Sequence, residues 1–337
     1  MAETELVGAN ALDSKRILEL LKSANIHFPA ERVLPLKGGA NNQVYRLEFA
    51  EHPPVVLKCY FQHPQDLRPR LKAEFEFLTF AWEQGIRCIP KPLAQDPTQN
   101  MALYSHIDGS LASSIHANKT FVSSAASFLK ALNQNKQAGK HLVPASEACF
   151  RAADYLETVE RKLSNLQSVA HKKLQDFLNH ELIPFWKQVK DTACKAALHS
   201  LDPSPEDLII TPSDFGLHNA LISRTGESYF IDFEYAGWDD PAKTICDFFL
   251  QPKIPIPQMH FHAFAQQVFS LSKNSEQTTQ RTQRMFPVCK VKWCCIVLNV
   301  FARAGKTRRQ FANSGQNPEA QIALAKNYLF STPMDHK

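Results

Sequence analysis

Residues 212–241 read PSDFGLHNALISRTGESYFIDFEYAGWDDP, and this stretch decides the fold. Asp214 lies five residues before Asn219, and Asp232 follows thirteen residues after Asn219. NALIS and ESYFIDF are predicted strands, and RTGES between them has the composition of a hairpin turn. Asn219 and Asp232 are therefore expected on neighbouring strand ends that face one cleft, with Asp214 at the mouth of the loop.

An aspartate, an asparagine and a second aspartate in this order suit phosphoryl transfer. An enzyme of this kind must cover the phosphates, hold them with a cation, coordinate magnesium and orient an attacking hydroxyl. Mg²⁺ prefers oxygen ligands, usually one or two carboxylates together with phosphate oxygens and water. The alternative is that all three side chains are ordinary turn and capping residues.

The motif resembles that of the aminoglycoside phosphotransferase / choline kinase family, small-molecule relatives of the protein kinases. The family's catalytic loop is an Asp-x4-Asn pattern, matched by Asp214 and Asn219. Its magnesium-binding strand reads Ile-Asp-Phe-Glu, matched by residues 231–234. The resemblance implies ATP and Mg²⁺ as cofactors, Asp214 as the base that orients the substrate hydroxyl, and Asn219 and Asp232 as magnesium ligands.

The resemblance extends past this strand and has one departure. The family's following Asp-Pro and further Asp are matched by Asp240, Pro241 and Asp247. The family usually has His-Gly before the catalytic Asp, where this chain has Pro212 and Ser213. Since that histidine mainly supports the loop, the change affects the family match more than the chemistry.

The first third of the chain contains a glycine-containing hairpin. In LKGGANNQVYRL, residues 36–47, Gly38 and Gly39 would let the backbone approach phosphate, and Asn41 and Asn42 suit a tight turn. These four residues are predicted to lie at the nucleotide.

A single lysine, Lys58, interrupts the apolar strand VVLKCY. Given its position after the hairpin, we predict that Lys58 binds the ATP phosphates, with a solvated strand lysine as the alternative. Glu74 and Glu76 are candidates to pair with it. Helical phase favours Glu74, which falls roughly 40° from the predicted buried Leu78, whereas Glu76 falls roughly 160° away.

The segment ALYSHIDGS, residues 102–110, resembles the family's hinge, where backbone groups meet the adenine. Ser105 and Ile107 are the expected contacts, and Val44 and Ile231 would cover the two faces of the base. The alternative for these residues is a place in the core.

Other polar residues near the motif have structural or open interpretations. Asp240 before Pro241 suits a helix N-cap, and Asp247 is expected to accept hydrogen bonds from the catalytic-loop backbone. Glu234 and Asp239 could project toward a substrate pocket, because acidic residues in this region help relatives to receive a cationic amine.

Several polar residues outside the motif have simpler interpretations. Ser146 is a predicted N-cap of a long helix, with Glu147 at the same helix start. Asn299 fits either a substrate contact or a core amide. His260 and His262 form a weak zinc pattern. The basic run at 303–310 suits a solvated helix end.

Composition limits the class of protein. The chain has 337 residues, 44% hydrophobic, with a net charge of +5 and eight cysteines outside any CxxC pair. The cysteines suggest reduced thiols, the charge does not indicate nucleic-acid binding, and there is no signal peptide or apolar run long enough to span a bilayer. A cytoplasmic protein without membrane insertion is expected, and its oligomeric state is open.

These observations predict an α+β protein with a bilobal, protein-kinase-like fold. Residues 1–13 would be a flexible N-terminus, 14–109 a small β-rich nucleotide-binding lobe, and 110–330 a larger, mostly helical catalytic lobe. The expected activity is ATP- and Mg²⁺-dependent transfer to a hydroxyl of a sugar, amino sugar, aminoglycoside or amino alcohol. The alternatives are a nucleotide-binding pseudokinase acting as scaffold or regulator, and a kinase acting on a macromolecule.

Overall fold

The computed structural model describes residues 14–36, 42–64, 66, 68–195, 198–302 and 317–331. Several sequence predictions fall outside these ranges and are not addressed by the structure. They are the N-terminal segment 1–13, the loop residues Gly38, Gly39 and Asn41, and the basic run 303–310.

The first part of the chain is a five-stranded antiparallel sheet with two helices. Its elements are α1 (Ser14–Ser23), β1 (Arg32–Leu36), β2 (Gln43–Glu48), β3 (Val55–Cys59), α2 (Arg70–Glu83), β4 (Pro92–Asp96) and β5 (Met101–Ser105). The strand order is β1-β2-β3-β5-β4. Lys58 pairs with Val44 on one side and with Ala102 on the other, so it lies on the central strand.

Helix α2 ends at Glu83, and Gly85 just beyond its C-cap closes it. The Ile86 N–H donates to Ala81 O and the Gly85 N–H donates to Trp82 O, both at 3.1 Å, which are the two bonds of a Schellman motif. Gly85 has φ +82°, a left-handed conformation that favours glycine. This turn reverses the chain toward β4.

The second part of the chain is mostly helical. Its helices are α3 (Lys119–Leu132), α4 (Ala152–Gln167), α5 (Lys172–Phe177), α6 (Ile183–Ala193), α7 (Pro241–Leu250), α8 (Phe261–Phe269), α9 (Ser275–Val297) and α10 (Pro318–Phe330). Its strands are β6 (Ser110–Leu111), β7 (Ile209–Thr211), β8 (Ala220–Ile222), β9 (Ser228–Phe230) and β10 (Gly237–Asp239). β8 and β9 form the predicted hairpin, β6 pairs with β8, and β10 pairs with β7.

One hydrophobic core joins the two parts. Phe77 of α2 stacks on Phe233 with ring centroids 4.8 Å apart, and Phe128 of α3 stacks on Phe230 at the same distance. All four rings are buried. Burying a side chain of this size stabilises a fold by about 2 kcal/mol. The aromatic contacts therefore fix α2 against the hairpin that carries Asp232.

Two predicted helix starts have different outcomes. Asp240 caps α7 as expected, because its carboxylate accepts from the Ala242 N–H at 2.9 Å. The prediction that Ser146 caps the long helix is wrong, since α4 begins at Ala152. There the Asp154 carboxylate accepts the N–H groups of Phe150 and Arg151, each at 2.8 Å.

The fold is thus α+β and bilobal, with a β-sheet in the first part and helices in the second. The division at Gly109 stays a prediction. None of the helices in the described part of the chain is both long and apolar enough to cross a bilayer.

Candidate active site

Lys58 joins the two parts of the protein by two ion pairs. Its Nζ lies 2.6 Å from Glu74 Oε2 and 2.6 Å from Asp232 Oδ1, and the lysine is buried. Burial opposes the positive charge, but the carboxylates of Asp232 and Glu74 outweigh it and hold the pKa of Lys58 well above its ordinary value. Lys58 is therefore a fixed cation at the boundary between sheet and helices.

Glu74, and not Glu76, forms the ion pair that helical phase favoured. The Glu74 carboxylate also accepts from Tyr60 Oη at 2.8 Å and from the Phe233 N–H at 3.2 Å. Glu76 instead lies 3.9 Å from the exposed Lys72. The role of the Lys58–Glu74 pair in nucleotide binding stays a prediction.

The buried face of α2 contains Leu78, as predicted. Phe77 and Leu78 are fully buried, whereas Phe75 and Trp82 are half-buried. The buried face includes Glu74 because Tyr60 and Phe233 supply it with hydrogen-bond donors.

The loop from Asp214 to Asn219 closes on itself. Asn219 Nδ2 donates to the Asp214 carbonyl at 2.9 Å, and Asn219 O accepts from the Ile231 N–H at 3.0 Å. The predicted trio is thereby brought to one place, since Asp232 directly follows Ile231. Ser213 and Asp232 both have φ +67°, a left-handed conformation that costs non-glycine residues energy and is concentrated at functional sites.

His218 contacts Asp214, which the sequence analysis missed. Its Nε2 lies 2.9 Å from Asp214 Oδ1. Burial opposes ionisation of Asp214, but the positive field and hydrogen bond of His218 keep the pKa of Asp214 below its ordinary value. The signal was the four-residue spacing, which often brings two side chains together in a helical turn.

An apolar cavity of about 340 Å³ lies between the sheet and the β8–β9 hairpin. Val44, Ser105, Ile107 and Ile231 line it, as does Asn42, and Lys58, Glu74 and Asp232 lie at its polar side. Leu221 and Leu111 also line it, which the sequence analysis missed. We name this space the nucleotide cavity.

Two residues that were predicted to contact the nucleotide already form hydrogen bonds within the protein. The Ser105 N–H donates to Lys91 O at 2.9 Å. The Asn42 amide donates to Glu234 at 2.7 Å and accepts from the Phe61 N–H at 3.3 Å. The Ile107 N–H has no partner among the described residues, so this hinge donor is available to a ligand.

A second, polar space of about 420 Å³ adjoins the loop, and we name it the acceptor cleft. Asp214, His218 and Asn219 line it, as does Asn299 from the helical turn Leu298–Phe301 that follows α9. Asp232 lines both the acceptor cleft and the nucleotide cavity. A larger open depression of about 710 Å³ lies beside the start of α2, and the predicted site residues of the described chain do not line it.

Glu234 and Asp239 do not face the acceptor cleft, so the interpretation that they receive a substrate amine is wrong. Glu234 is buried, accepts from Asn42 and lies 3.4 Å from Arg70. Asp239 is fully buried and lies 2.7 Å from Lys243 Nζ. Both carboxylates are structural because α2 and α7 each supply a buried cation.

The hydrogen-bond and ion-pair partners of Asp247 differ from those predicted. Its Oδ1 accepts from Lys292 and from the Trp293 indole, and its Oδ2 lies 3.3 Å from Lys243. Lys243 Nζ in turn lies 3.5 Å from Ser213 Oγ. Asp247 therefore supports the catalytic loop through Lys243, where we had expected hydrogen bonds from the loop backbone.

The donor set at the junction of the two spaces suits Mg²⁺. Because Asn219 Nδ2 is engaged with the Asp214 carbonyl, Oδ1 is the atom left for a cation. The Asp232 carboxylate is 24% exposed and adds a second hard oxygen donor. Within the described ranges, no three His, Cys, Asp or Glu side chains cluster as a metal site, and His260 and His262 belong to no such group.

Comparison with known proteins identifies the family. Residues 32–248, more than half of the chain, match the model of the APH phosphotransferase enzyme family. The chain belongs to this family. It is therefore a small-molecule phosphotransferase, as the motifs predicted. No curated protein matches the sequence significantly.

Solved structures share the fold at low identity. The choline kinase LicA from Streptococcus pneumoniae is 15% identical, with a TM-score of 0.58 over 94% of this chain and 98% of that one. Plasmodium vivax ethanolamine kinase is 13% identical, with a TM-score of 0.60 over 97% of both chains. The gentamicin complex of APH(2″)-IIa is 14% identical, with a TM-score of 0.61 over 96% of this chain and 98% of that one. These similarities confirm the kinase-like fold.

Proposed function

We propose that the protein transfers the γ-phosphoryl group of ATP to a hydroxyl of a small molecule in a Mg²⁺-dependent reaction. The observation that carries this proposal is the position of Asp232, which lines both spaces and lies 2.6 Å from Lys58. A donor in one space and an acceptor in the other would meet at this residue. In-line transfer needs that arrangement.

Each residue at the junction has a proposed task. Lys58, fixed by Glu74, binds phosphate oxygens of the nucleotide. Asp214 orients the acceptor hydroxyl and takes its proton, and its low pKa keeps it ionised for that role. Asn219 and Asp232 would hold Mg²⁺, which neutralises charge on the phosphates when bound.

The nucleotide is proposed to bind in the apolar cavity. Val44 and Ile231 would cover the adenine, and the Ile107 N–H and the Ser105 segment would meet its edge. Asn42 follows Gly38, Gly39 and Asn41 in the sequence, and we propose that this segment covers the phosphates. Similar folds hold ATP, ADP or AMP, which supports an adenine nucleotide as donor.

The acceptor is proposed to be a sugar, amino sugar, aminoglycoside or amino alcohol. Similar folds include choline, ethanolamine and aminoglycoside kinases, which supports a small hydroxyl compound. The chain between Asp232 and Asp240 passes directly into β10, which argues against a long activation segment of the protein-kinase type. All eight cysteines are free, which supports the proposed cytoplasmic location.

Replacement of Asp214 tests the proposal against a non-catalytic nucleotide-binding role. Asp214→Asn should lower Mg²⁺-dependent phosphate transfer roughly 100-fold or more while ATP still binds. Asp191→Asn, an exposed change on α6, is the matched control and should transfer phosphate at the wild-type rate. Nucleotide binding by the wild type without turnover across a broad hydroxyl panel would instead favour the pseudokinase.

A further inference from the structure

The carboxylates of the acceptor cleft that lie outside the catalytic loop are already paired. Glu147 lies 2.7 Å from Lys162 and 3.2 Å from Arg161. Burial opposes its charge, but Lys162, Lys292 and Arg161 together lower the pKa of Glu147 to about 2. Glu147 is therefore an ionised group whose charge is balanced by the protein itself.

Asp247, the second such carboxylate, uses both of its oxygens. Lys292 and the Trp293 indole donate to Oδ1, and Lys243 lies 3.3 Å from Oδ2. The side chain is almost fully enclosed by these partners. A cationic amine entering the cleft would thus find neither Glu147 nor Asp247 free to receive it.

Four of the five cations that line the cleft are paired with carboxylates. Within the described part of the chain, the five are Arg68, Lys162, Lys243, Lys253 and Lys292. Arg68 pairs with Asp66, Lys162 with Glu147, and Lys243 and Lys292 with Asp247. Lys253 is left without a carboxylate among the described residues to balance its charge, and an unbalanced cation attracts an anion.

Lys253 is the cation best placed to act on a ligand. It is exposed and has no carboxylate partner among the residues that the structure describes. It lines the same cleft as Asp214. A group bound by Lys253 would therefore be near the proposed position of the reacting hydroxyl.

We propose that the acceptor is an anion, a hydroxyl compound that carries a carboxylate or a phosphate group received by Lys253. This inference rests on the proposed transfer to a small-molecule hydroxyl, and it favours acidic derivatives of sugars and polyols over the amino sugars, aminoglycosides and amino alcohols named above. It distinguishes the protein from kinases whose acceptor is a cationic amine. The unpaired lysine at the wall binds the anionic group, while the paired lysines keep Glu147 and Asp247 from receiving a cationic one.

Matched acceptors that differ only in charge test the inference. Initial rates of transfer from ATP would be measured with glucose, glucosamine, glucuronate and glucose 6-phosphate, and with glycerol, serinol and glycerate. We expect the anionic member of each series to have a kcat/KM at least tenfold above the neutral one, and the cationic member to be the poorest. The comparison of glucuronate with glucose 6-phosphate separates a carboxylate from a phosphate.

Variants of Lys253 connect this preference to the residue. In Lys253→Glu the ratio of kcat/KM for the anionic to the neutral acceptor should fall at least tenfold, and in Lys253→Arg it should be kept. A substitution that slows the chemical step equally for both acceptors leaves this ratio of kcat/KM values unchanged, so the ratio reports only the preference for charge. Lys130→Glu, an exposed charge reversal on α3, is the control and should leave the ratio unchanged.

The outcomes separate this inference from the proposed function. Faster transfer to the cationic acceptors, or an unchanged ratio in Lys253→Glu, would overturn the anionic acceptor and leave the kinase activity standing. A Lys253→Glu effect confined to the KM for ATP would overturn it too, since the lysine would then serve the donor. No transfer to any of these compounds or to a small-molecule cell extract would overturn both proposals.

Discussion

Lys58 Nζ and Asp232 Oδ1 lie 2.6 Å apart although 174 residues separate them in the sequence. One residue comes from the central strand of the sheet and the other from the end of the hairpin in the helical part. The ion pair is therefore a product of the whole fold, and it supports the first two predictions.

Replacing the cation should disable transfer. Lys58→Met keeps the length of the side chain but removes its charge, so the phosphates lose their protein ligand. We expect phosphate transfer to fall roughly 100- to 1000-fold. The free energy of unfolding should also fall, by on the order of 3 kcal/mol, because two carboxylates lose their shared partner.

Transfer would be measured with saturating ATP, and unfolding with urea. Lys72→Met provides the control, because Lys72 is an exposed cation of α2, and it should change neither quantity. Wild-type transfer rates in Lys58→Met would show that the lysine serves the fold alone.

Removing the charge of Asp232 should separate metal binding from folding. Asp232→Asn should abolish Mg²⁺-dependent transfer while the melting temperature stays near that of the wild type. The reason is that Asp232 is partly exposed and Lys58 retains Glu74 as a partner. The affinity of each protein for ADP would be measured by calorimetric titration with and without Mg²⁺. The affinity of the wild type for ADP should depend on the metal, and the affinity of Asp232→Asn should not. Extensive unfolding of Asp232→Asn would count against a metal-binding role.

The buried charges behind the catalytic loop should be a large source of stability. Lys243 is 3% exposed and pairs with Asp239 and Asp247. Lys243→Met would leave Asp239 charged and unpaired, so the free energy of unfolding should fall by about 3–5 kcal/mol. The double variant Lys243→Met/Asp239→Asn should recover part of the loss, as measured by urea denaturation of all three proteins. If the free energy of unfolding fell no further in Lys243→Met than in the double variant, Lys243 and Asp239 would not be energetically coupled.

The ion pair of Glu147 should make stability depend on pH. Its folded pKa of about 2 lies below the ordinary 4.5, so its contribution is complete above about pH 4.5 and is lost as the pH falls toward 2. Glu147→Gln should therefore be less stable than the wild type at neutral pH, by roughly 3 kcal/mol at most. The difference should narrow on acidification to about pH 3.

Urea denaturation of both proteins at the two pH values is the measurement. Glu157→Gln is the control, since Glu157 is 60% exposed and its pairing with Arg151 lies at the surface. A difference between wild type and Glu147→Gln that grew on acidification would contradict the sign of the pKa shift.

The sequence predicted those parts of the site that depend on local pattern. The interruption of an apolar strand after the hairpin singled out Lys58, helical phase selected Glu74, and the spacing of Asp214, Asn219 and Asp232 predicted that they converge. These features follow from the geometry of a single element or a short hairpin. The structure brings them together, and their chemical roles stay predictions.

The errors arose where a distant residue decides the outcome. Asp239 was interpreted as a carboxylate that could project toward a substrate pocket, but β10 pairs with β7 and places it against Lys243. The prediction of a Ser146 cap was wrong because the helix begins six residues later, at Ala152, where the carboxylate of Asp154 accepts the first backbone N–H groups. The contact of His218 with Asp214 was missed because the sequence shows the spacing but not the turn that brings the two together.

The hydrogen bond from the Phe233 N–H to Glu74 has a consequence for control of the enzyme. In kinases of the signalling type, the lysine–glutamate pair and the magnesium aspartate must be brought into position by a separate event. Here aromatic packing and this single backbone bond hold them together using residues of one chain. Folding alone would therefore assemble this pair, and we expect the rate of transfer to follow the supply of acceptor.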